Sequence, residues 1–225
     1  MARRERALAS ILAAATIIGV AATQKYSNFN LPSNPDIHRI DQADVAEKAK
    51  SYLGAPYSVD RSKGMVCTDV YVESAGLTET LIEAARTHPE QYSPFNERLV
   101  TFSQNIAFVA ERLGVVQFDN TPENPQFPRR IQNVLSFQAS NGTFTANPHA
   151  AVNPGYAVYF SQDSSGVPSH MGVVESVSPD GRPNDILHAS STAGKVIQES
   201  LVSILGKGYQ VAGYGHLPLS GKFSK

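Results

Sequence analysis

Hydrophobic positions follow helical spacing in the first two thirds of the chain and form short strand-like runs in the last third. The helical pattern predicts helices over 43–53, from 67 to about 75, from 78 to about 87, and over 102–113 and 129–140. The later runs, separated by turn-forming residues, predict strands over 157–160, 170–177, 186–189, 196–201 and 210–217. Helices followed by an antiparallel sheet indicate an α+β fold in which the N-terminal helices pack on the sheet.

The beginning of the chain has the pattern of an export signal. Arginines among the first six residues precede an apolar run over 8–20, and Val20 and Ala22 place small side chains where a signal peptidase requires them. We therefore interpret 1–22 as a signal peptide or, if it is not cleaved, as an N-terminal anchor. The Asn-, Pro- and Ser-rich stretch over 23–40 is then a linker. This predicts a protein of the periplasm or cell envelope that meets a membrane only through an uncleaved N-terminus.

Charge and cysteine content narrow the range of functions. A formal net charge of −1 gives no electrostatic basis for binding nucleic acid. The chain has a single cysteine, Cys67. Exported proteins use cysteines mainly in disulfide pairs, so an unpaired one indicates either an intermolecular bond or a reactive thiol.

Cys67 lies where a loop becomes a helix. Unpaired backbone N–H groups and the positive end of the helix dipole at this place are expected to lower the thiol pKa, and the same N–H groups could hold an oxyanion. The alternative is an inert, half-buried thiol, since free cysteine is one of the most frequently buried residue types.

Two histidines occupy strand positions in the predicted sheet. His170 begins one strand and His188 ends the neighbouring one, so pairing of the strands as a hairpin would bring both imidazoles to one rim. A cysteine on a helix packed there would complete a thiol–imidazole–polar arrangement. Two histidines could also bind a metal, but no HxH, HExxH or carboxylate pair at ligand spacing accompanies them, so we expect no metal site. His216, in the last predicted strand, is the reserve candidate for the third position.

Five short motifs follow one another in the order found in a known family. The chain resembles the NlpC/P60 family of papain-like cysteine peptidases in these segments: Leu53-Gly54-Ala55-Pro56-Tyr57, Gly64-Met65-Val66-Cys67-Thr68-Asp69-Val70, Asn153-Pro154-Gly155-Tyr156-Ala157-Val158-Tyr159-Phe160, Ser169-His170-Met171-Gly172-Val173-Val174 and Ile186-Leu187-His188-Ala189-Ser190-Ser191. The resemblance implies a papain-like α+β fold over 41–220 with a helical insertion over about 77–147.

The resemblance also implies roles for individual residues. Cys67 matches the nucleophile, His170 the general base and His188 the third, orienting residue. Tyr57 matches the tyrosine whose hydroxyl faces the nucleophile, and Tyr57 and Thr68 are the residues expected to hold the oxyanion or the substrate. The implied reaction is hydrolysis of an amide bond in peptidoglycan stem peptides through a thioester intermediate, without a cofactor.

The sequence departs from the family pattern at several positions. Val66 replaces the usual Asp or Asn before the cysteine, Thr68-Asp69 replaces small residues, and Tyr156 replaces the Asp of Pro-Gly-Asp. The Cys-Thr-Asp-Val string is similar instead to an uncharacterised bacterial branch of the superfamily. The insertion over 77–147 is longer than in most members and could narrow the cleft or bind a protein partner.

Two alternatives to a peptidoglycan hydrolase remain at this point. The chain could be a non-catalytic binding or scaffold protein of the cell envelope that keeps the same fold. It could also apply the thiol chemistry to another acyl group, as a hydrolase or transferase acting on a lipid or a protein amide.

Overall fold

The computed structural model of this chain describes three ranges of residues: 41–92, 121–162 and 167–218. The predicted signal segment over 1–22, the linker over 23–40 and the helix over 102–113 lie outside them and stay predictions. Within the described ranges, no helix combines the length and the apolar character that crossing a membrane requires.

The helices of the described ranges begin close to where the hydrophobic pattern predicts them. They are α1 (Gln42–Lys50), α2 (Cys67–Ser74), α3 (Thr78–Thr87), α4 (Pro89–Tyr92), α5 (Ile131–Ser140) and α6 (Leu201–Gly206), with a 3-10 helix at Phe127–Arg129. The carboxylate of Asp41 caps α1 by accepting a hydrogen bond from the N–H of Ala43. Two short helices, α4 and α6, were not predicted, and α1 ends earlier than predicted because turns follow Lys50.

The strands form one antiparallel sheet in the spatial order β1-β6-β2-β3-β4-β5. They are β1 (Phe144–Thr145), β2 (Ala157–Ser161), β3 (His170–Val177), β4 (Pro183–Ser190), β5 (Lys195–Ser200) and β6 (Gln210–Gly215). All the predicted strands are present, and β1 is an additional short edge strand. The sheet therefore confirms the predicted antiparallel arrangement.

Apolar side chains are buried on both faces of the sheet because successive residues of a strand point to opposite sides. Tyr159 and Met171 pack on one face with residues of α1, α2, α3 and α5. Phe160 and Ile186 pack on the other face with Ile204 of α6. The α+β class, with the N-terminal helices packed on an antiparallel sheet, is confirmed. The predicted boundaries of the domain and of its insertion stay predictions.

The turn before β2 requires a glycine. Gly155 has a φ of +87°, and a Cβ atom there would lie 1.8 Å from the carbonyl oxygen of Gln42. The Gln42 side chain donates a hydrogen bond to the Gly155 carbonyl (2.5 Å) and accepts one from the N–H of Leu217 (3.0 Å). The start of α1 is thereby fixed against β2, the strand that pairs with the beginning of β3.

Candidate active site

Cys67 is the first residue of α2, as the sequence predicts, and the residue as a whole is half-buried, with its thiol outside any disulfide. The sulfur lies 3.9 Å from the hydroxyl oxygen of Thr68. The backbone N–H groups of Met171 and Thr68 also interact with it. Because Met171 directly follows His170 in β3, the thiol lies at the beginning of that strand.

A buried ion pair fixes the start of α2. Asp69 accepts a hydrogen bond from the backbone N–H of Val66 at 2.7 Å, which caps the helix that carries the thiol. The same carboxylate pairs with Arg129, whose Nη2 and Nε atoms lie 2.7 Å from Oδ2 and 2.9 Å from Oδ1. Both side chains are buried, so the pair is shielded from solvent. The Asp69 that departs from the family pattern therefore has a structural role here.

Arg129 also holds the loop that follows Tyr57. Its guanidinium donates to the carbonyl oxygens of Ser58 (3.0 Å) and Val59 (2.6 Å). On the other side, the N–H of Tyr57 donates to the carbonyl of Gly194, between β4 and β5, at 2.8 Å. Tyr57 is thereby anchored between the nucleophile helix and the sheet, and it lines the same cavity as Cys67.

The two predicted histidines meet at one end of the β3–β4 hairpin. Nε2 of His170 lies 2.9 Å from Nδ1 of His188, and the rings are edge to face with their centroids 4.9 Å apart. The His170 ring also packs against Phe160 and Tyr209, at centroid distances of 6.0 Å and 5.5 Å. Because Nε2 of His170 faces His188, Nδ1 is the ring nitrogen left to accept a further proton.

Glu199 extends the histidine pair, and the sequence reasoning missed it. Its Oε2 atom lies 3.2 Å from Nε2 of His188, and its Oε1 accepts a hydrogen bond from the Ser203 hydroxyl at 2.5 Å. The ammonium group of Lys207 forms an ion pair with the same Oε1. In the β4–β5 register Ile197 is opposite His188, so Glu199 is the diagonal neighbour of His188 on the same face. The register of β4 on β5 would therefore have identified Glu199 as a neighbour of His188, once the turn between the two strands was located.

These groups surround one cavity of about 180 Å³. Its wall includes Tyr57, Cys67, His170, His188 and Glu199, together with hydroxyl-bearing residues: Ser169, Ser190, Ser191, Thr192 and Tyr209. In the described residues no hydrogen bond joins the Cys67 sulfur to His170, although both border the cavity.

Two other sequence candidates lie outside the cavity wall. Thr68 is only 1% exposed, and its hydroxyl points to the Cys67 sulfur at 3.9 Å. The ring of His216 packs against Tyr156 with a centroid distance of 5.0 Å, and its Nδ1 contacts the Leu217 carbonyl. The reserve candidate for the third position is therefore not beside His170, whereas His188 is.

The expected lowering of the thiol pKa is wrong for this structure. Burial raises the pKa of the Cys67 thiol, and the N–H groups of Met171 and Thr68 with the Thr68 hydroxyl only partly offset it. The helix start does supply favourable donors, but loss of solvent around the sulfur outweighs them. The resting thiol is therefore protonated at neutral pH.

Burial also keeps both imidazoles neutral. Desolvation, assisted by the neighbouring His188, lowers the pKa of His170 to about 3, and desolvation lowers the pKa of His188 as well. Burial alone would raise the pKa of Glu199, but hydrogen bonds from Lys207, Ser203 and His188 outweigh it and lower the pKa to about 2. Burial raises the pKa of Tyr57, so its hydroxyl stays protonated. At neutral pH the site holds a thiol, two neutral imidazoles and one carboxylate.

Over the described ranges, no group of three or more His, Cys, Asp or Glu side chains is arranged to hold a metal ion. Of the atoms at this end of the sheet, Nε2 of His170 contacts Nδ1 of His188, and Nε2 of His188 contacts Oε2 of Glu199.

Comparison with known proteins gives distant structural similarities. No protein-family model and no curated protein matches the chain. Among solved structures, it is similar to NlpC1 from Trichomonas vaginalis with 13% identity and a TM-score of 0.39, over 84% of this chain and 48% of that one. NlpC2 from Trichomonas vaginalis is 13% identical with a TM-score of 0.38, over 80% of this chain and 49% of that one. The chain thus spans about half the length of these two proteins.

An N-acetylmuramoyl-L-alanine amidase from Bacteroides uniformis ATCC 8492 is also similar. It is 15% identical with a TM-score of 0.38, and the match covers 77% of this chain and 98% of the amidase. At these identities and scores, the functional interpretation depends on the sequence motifs and on the site geometry.

Proposed function

We propose that this protein is an exported cysteine hydrolase that cleaves an amide bond in peptidoglycan stem peptides. The observation that carries this proposal is the hydrogen bond between His170 and His188, 2.9 Å long, in the wall of the cavity that also contains the only cysteine. Nucleophilic catalysis requires a thiol, a base beside it and a third group that orients the base. These three groups come from residues far apart in sequence.

The first step transfers the thiol proton of Cys67 to Nδ1 of His170, because Nε2 is engaged with His188. The thiolate attacks the amide carbonyl carbon, and the carbonyl oxygen takes the negative charge of the tetrahedral intermediate. Nδ1–H of His170 then protonates the leaving amine as the C–N bond breaks, which leaves a thioester on Cys67. Water then attacks the thioester carbon while Nδ1 of His170 takes its proton, and the C–S bond breaks to release the acyl part of the substrate as a carboxylic acid. Nδ1–H returns its proton to the sulfur, which restores the thiol.

In the unliganded site the sulfur and the imidazole are not hydrogen-bonded, and burial opposes this transfer because it raises the pKa of the thiol and lowers that of His170. The mechanism therefore requires that substrate binding bring the two groups together.

The negative charge on the carbonyl oxygen needs donors close to the sulfur. The first N–H groups of a helix lack acceptors within the helix, so the backbone N–H of Cys67 is suited to this role. The Tyr57 hydroxyl, which is protonated at neutral pH, is the second donor. Thr68 acts on the nucleophile rather than on the substrate, because its hydroxyl lies against the Cys67 sulfur and outside the cavity wall.

The cavity favours a segment of a peptide as the substrate. Its volume is below the roughly 300–1,000 Å³ of sites that enclose a whole small molecule. Its hydroxyl-rich wall offers donors and acceptors to peptide groups, whereas a lipid acyl chain would leave these groups without partners. Together with the predicted export signal and the resemblance of the sequence motifs to NlpC/P60 peptidases, this supports a cell-wall peptide in the periplasm or cell envelope.

The proposal is tested by incubating the wild-type protein and the Cys67→Ala variant with purified peptidoglycan and analysing the released fragments by mass spectrometry. We expect a fragment with a newly formed carboxylate and amine that appears only with the wild type, and its mass identifies the bond. The same fragments from both proteins, or none from either, would favour a non-catalytic envelope-binding protein or a different acyl substrate.

A further inference from the structure

We propose that Glu199 is a positioning residue that sets the tautomers of His188 and His170 and so leaves Nδ1 of His170 unprotonated. This inference depends on the proposed function, because it explains how the base of that reaction is made ready. Nothing in the sequence motifs points to Glu199, which follows the last family-like segment by eight residues.

The tautomers follow from the hydrogen bonds in order. A carboxylate only accepts, so Nε2 of His188, 3.2 Å from Oε2 of Glu199, carries a hydrogen. A neutral imidazole has one N–H, so Nδ1 of His188 has a lone pair. Nε2 of His170, 2.9 Å from that atom, must therefore be the donor. The remaining nitrogen, Nδ1 of His170, then has the free lone pair that accepts the thiol proton.

The surroundings of Glu199 keep it ionised and fixed. Ser203, in α6, donates to Oε1 at 2.5 Å, and Lys207, just after α6, pairs with the same atom. Oε2 is left for His188. The titratable groups that face the carboxylate are therefore His188 from β4 and Lys207 after α6, and both donate to it.

This arrangement makes Glu199→Gln an informative variant. The ammonium group of Lys207 can only donate and so requires an acceptor at the Oε1 position, to which the Ser203 hydroxyl also donates. The amide oxygen of Gln is therefore expected there, and the NH₂ group faces His188. His188 must then accept at Nε2 and carry its hydrogen on Nδ1. His170 in turn accepts at Nε2, and its own hydrogen moves to Nδ1, towards the thiol. The substitution therefore reverses both tautomers and blocks the base.

The direct test is ¹⁵N NMR of the histidine rings in the full chain at neutral pH, with His170→Gln and His188→Gln spectra for assignment. We expect Nε2–H for both rings in the wild type and Nδ1–H for both in Glu199→Gln. Nδ1–H on His170 of the wild type, or unchanged tautomers in a folded Glu199→Gln variant, would overturn the inference. These spectra require no turnover, so they test Glu199 even if the protein proves not to be a hydrolase.

A kinetic test uses the same variant. We expect Glu199→Gln to lower kcat by about 10²–10⁴-fold, the usual contribution of a positioned base, with little change in KM. Adding Ser203→Ala and Lys207→Met to Glu199→Gln removes the donors at Oε1, lets the amide oxygen turn to His188 and should restore part of kcat. The role of Glu199 would be overturned if the Glu199→Gln variant kept the wild-type tautomers and the triple variant did not recover kcat.

A matched control is available in β3. Glu175 is buried to a similar extent, with 13% of its side chain exposed against 11% for Glu199, and it also pairs with a lysine, Lys50, at 2.7 Å. Glu175→Gln should change neither the tautomers nor kcat. An equal loss in both variants would mean that Glu199 acts only through stability and would overturn the inference.

Discussion

The carboxylate of Asp69 and the guanidinium of Arg129, sixty positions apart, form a buried ion pair that fixes the helix start carrying Cys67. The same guanidinium holds the carbonyls of Ser58 and Val59, next to Tyr57. One side chain thus sets the nucleophile and the predicted oxyanion donor relative to each other.

Replacing Arg129 by Met should destabilise the protein strongly. The substitution leaves the Asp69 carboxylate buried and unpaired, which typically costs about 3–5 kcal/mol. Urea denaturation of the variant measures this loss. Arg86→Met is the control, because Arg86 pairs with Glu123 at an exposed site and such pairs contribute about 0–1 kcal/mol. Equal midpoints for the two variants would contradict the role given to Arg129.

Gly172 permits the close approach of β3 and β4 that brings the histidines together. A Cβ atom there would lie 2.5 Å from Cγ2 of Ile186 and 2.9 Å from the carbonyl oxygen of Leu187. Gly172→Ala should therefore push β4 away, lower the free energy of unfolding by about 1–3 kcal/mol and reduce kcat. Gly206→Ala, which meets nothing within 4 Å, is the control. Wild-type stability and kcat for Gly172→Ala would refute this explanation.

The neutral histidines predict a loss of stability in mild acid. The pKa of His170 is lowered to about 3 in the folded protein, against about 6.5 in an unfolded chain, so the unfolded state binds more protons between these values. The free energy of unfolding should fall as pH decreases from about 6.5 towards 3, by at most about 1.4 kcal/mol per pH unit from this group. Denaturation at pH 7, 6 and 5 measures the slope, which should be less steep in His170→Gln. Identical slopes would show that His170 is not held neutral.

The raised thiol pKa predicts slow alkylation of the resting protein. Since Cys67 is the only cysteine, iodoacetamide labelling followed by intact mass spectrometry reports on it alone. The rate should increase with pH with a midpoint above the value of about 8.5 for a free thiol, because burial disfavours the thiolate. A midpoint below 7 would mean that the thiol is ionised at rest, as the helix position alone suggested.

The sequence predicted the parts of the site that depend on local pattern. Cys67 lies at a helix start because the helical spacing of apolar residues begins there. His170 meets His188 because antiparallel pairing places the beginning of β3 beside the end of β4. Glu199 and the Asp69–Arg129 pair were missed for a physical reason. Glu199 reaches His188 only through the register of β4 on β5, and Arg129 reaches Asp69 only through packing across sixty positions. Neither the Glu199–His188 contact nor the Asp69–Arg129 pair produces a periodic pattern in the sequence.

The thiol pKa shows a different limit of sequence reasoning. The position at the helix start was predicted, and the expected donors are present at the sulfur. The degree of burial, which decides the sign of the shift, depends on how β3 and the loop of Tyr57 close over the helix. That closure is a property of the assembled fold.

The central claim is that Cys67 and His170 act together as nucleophile and base. The most direct test measures kcat/KM for amide cleavage of purified muropeptides by the wild type, Cys67→Ala, His170→Gln and the double variant. We expect each single substitution to reduce kcat/KM by about 10⁴-fold or more, and the double variant to be no worse than either, because residues of one catalytic unit are not additive. Turnover that survives in Cys67→Ala or in His170→Gln would contradict the account.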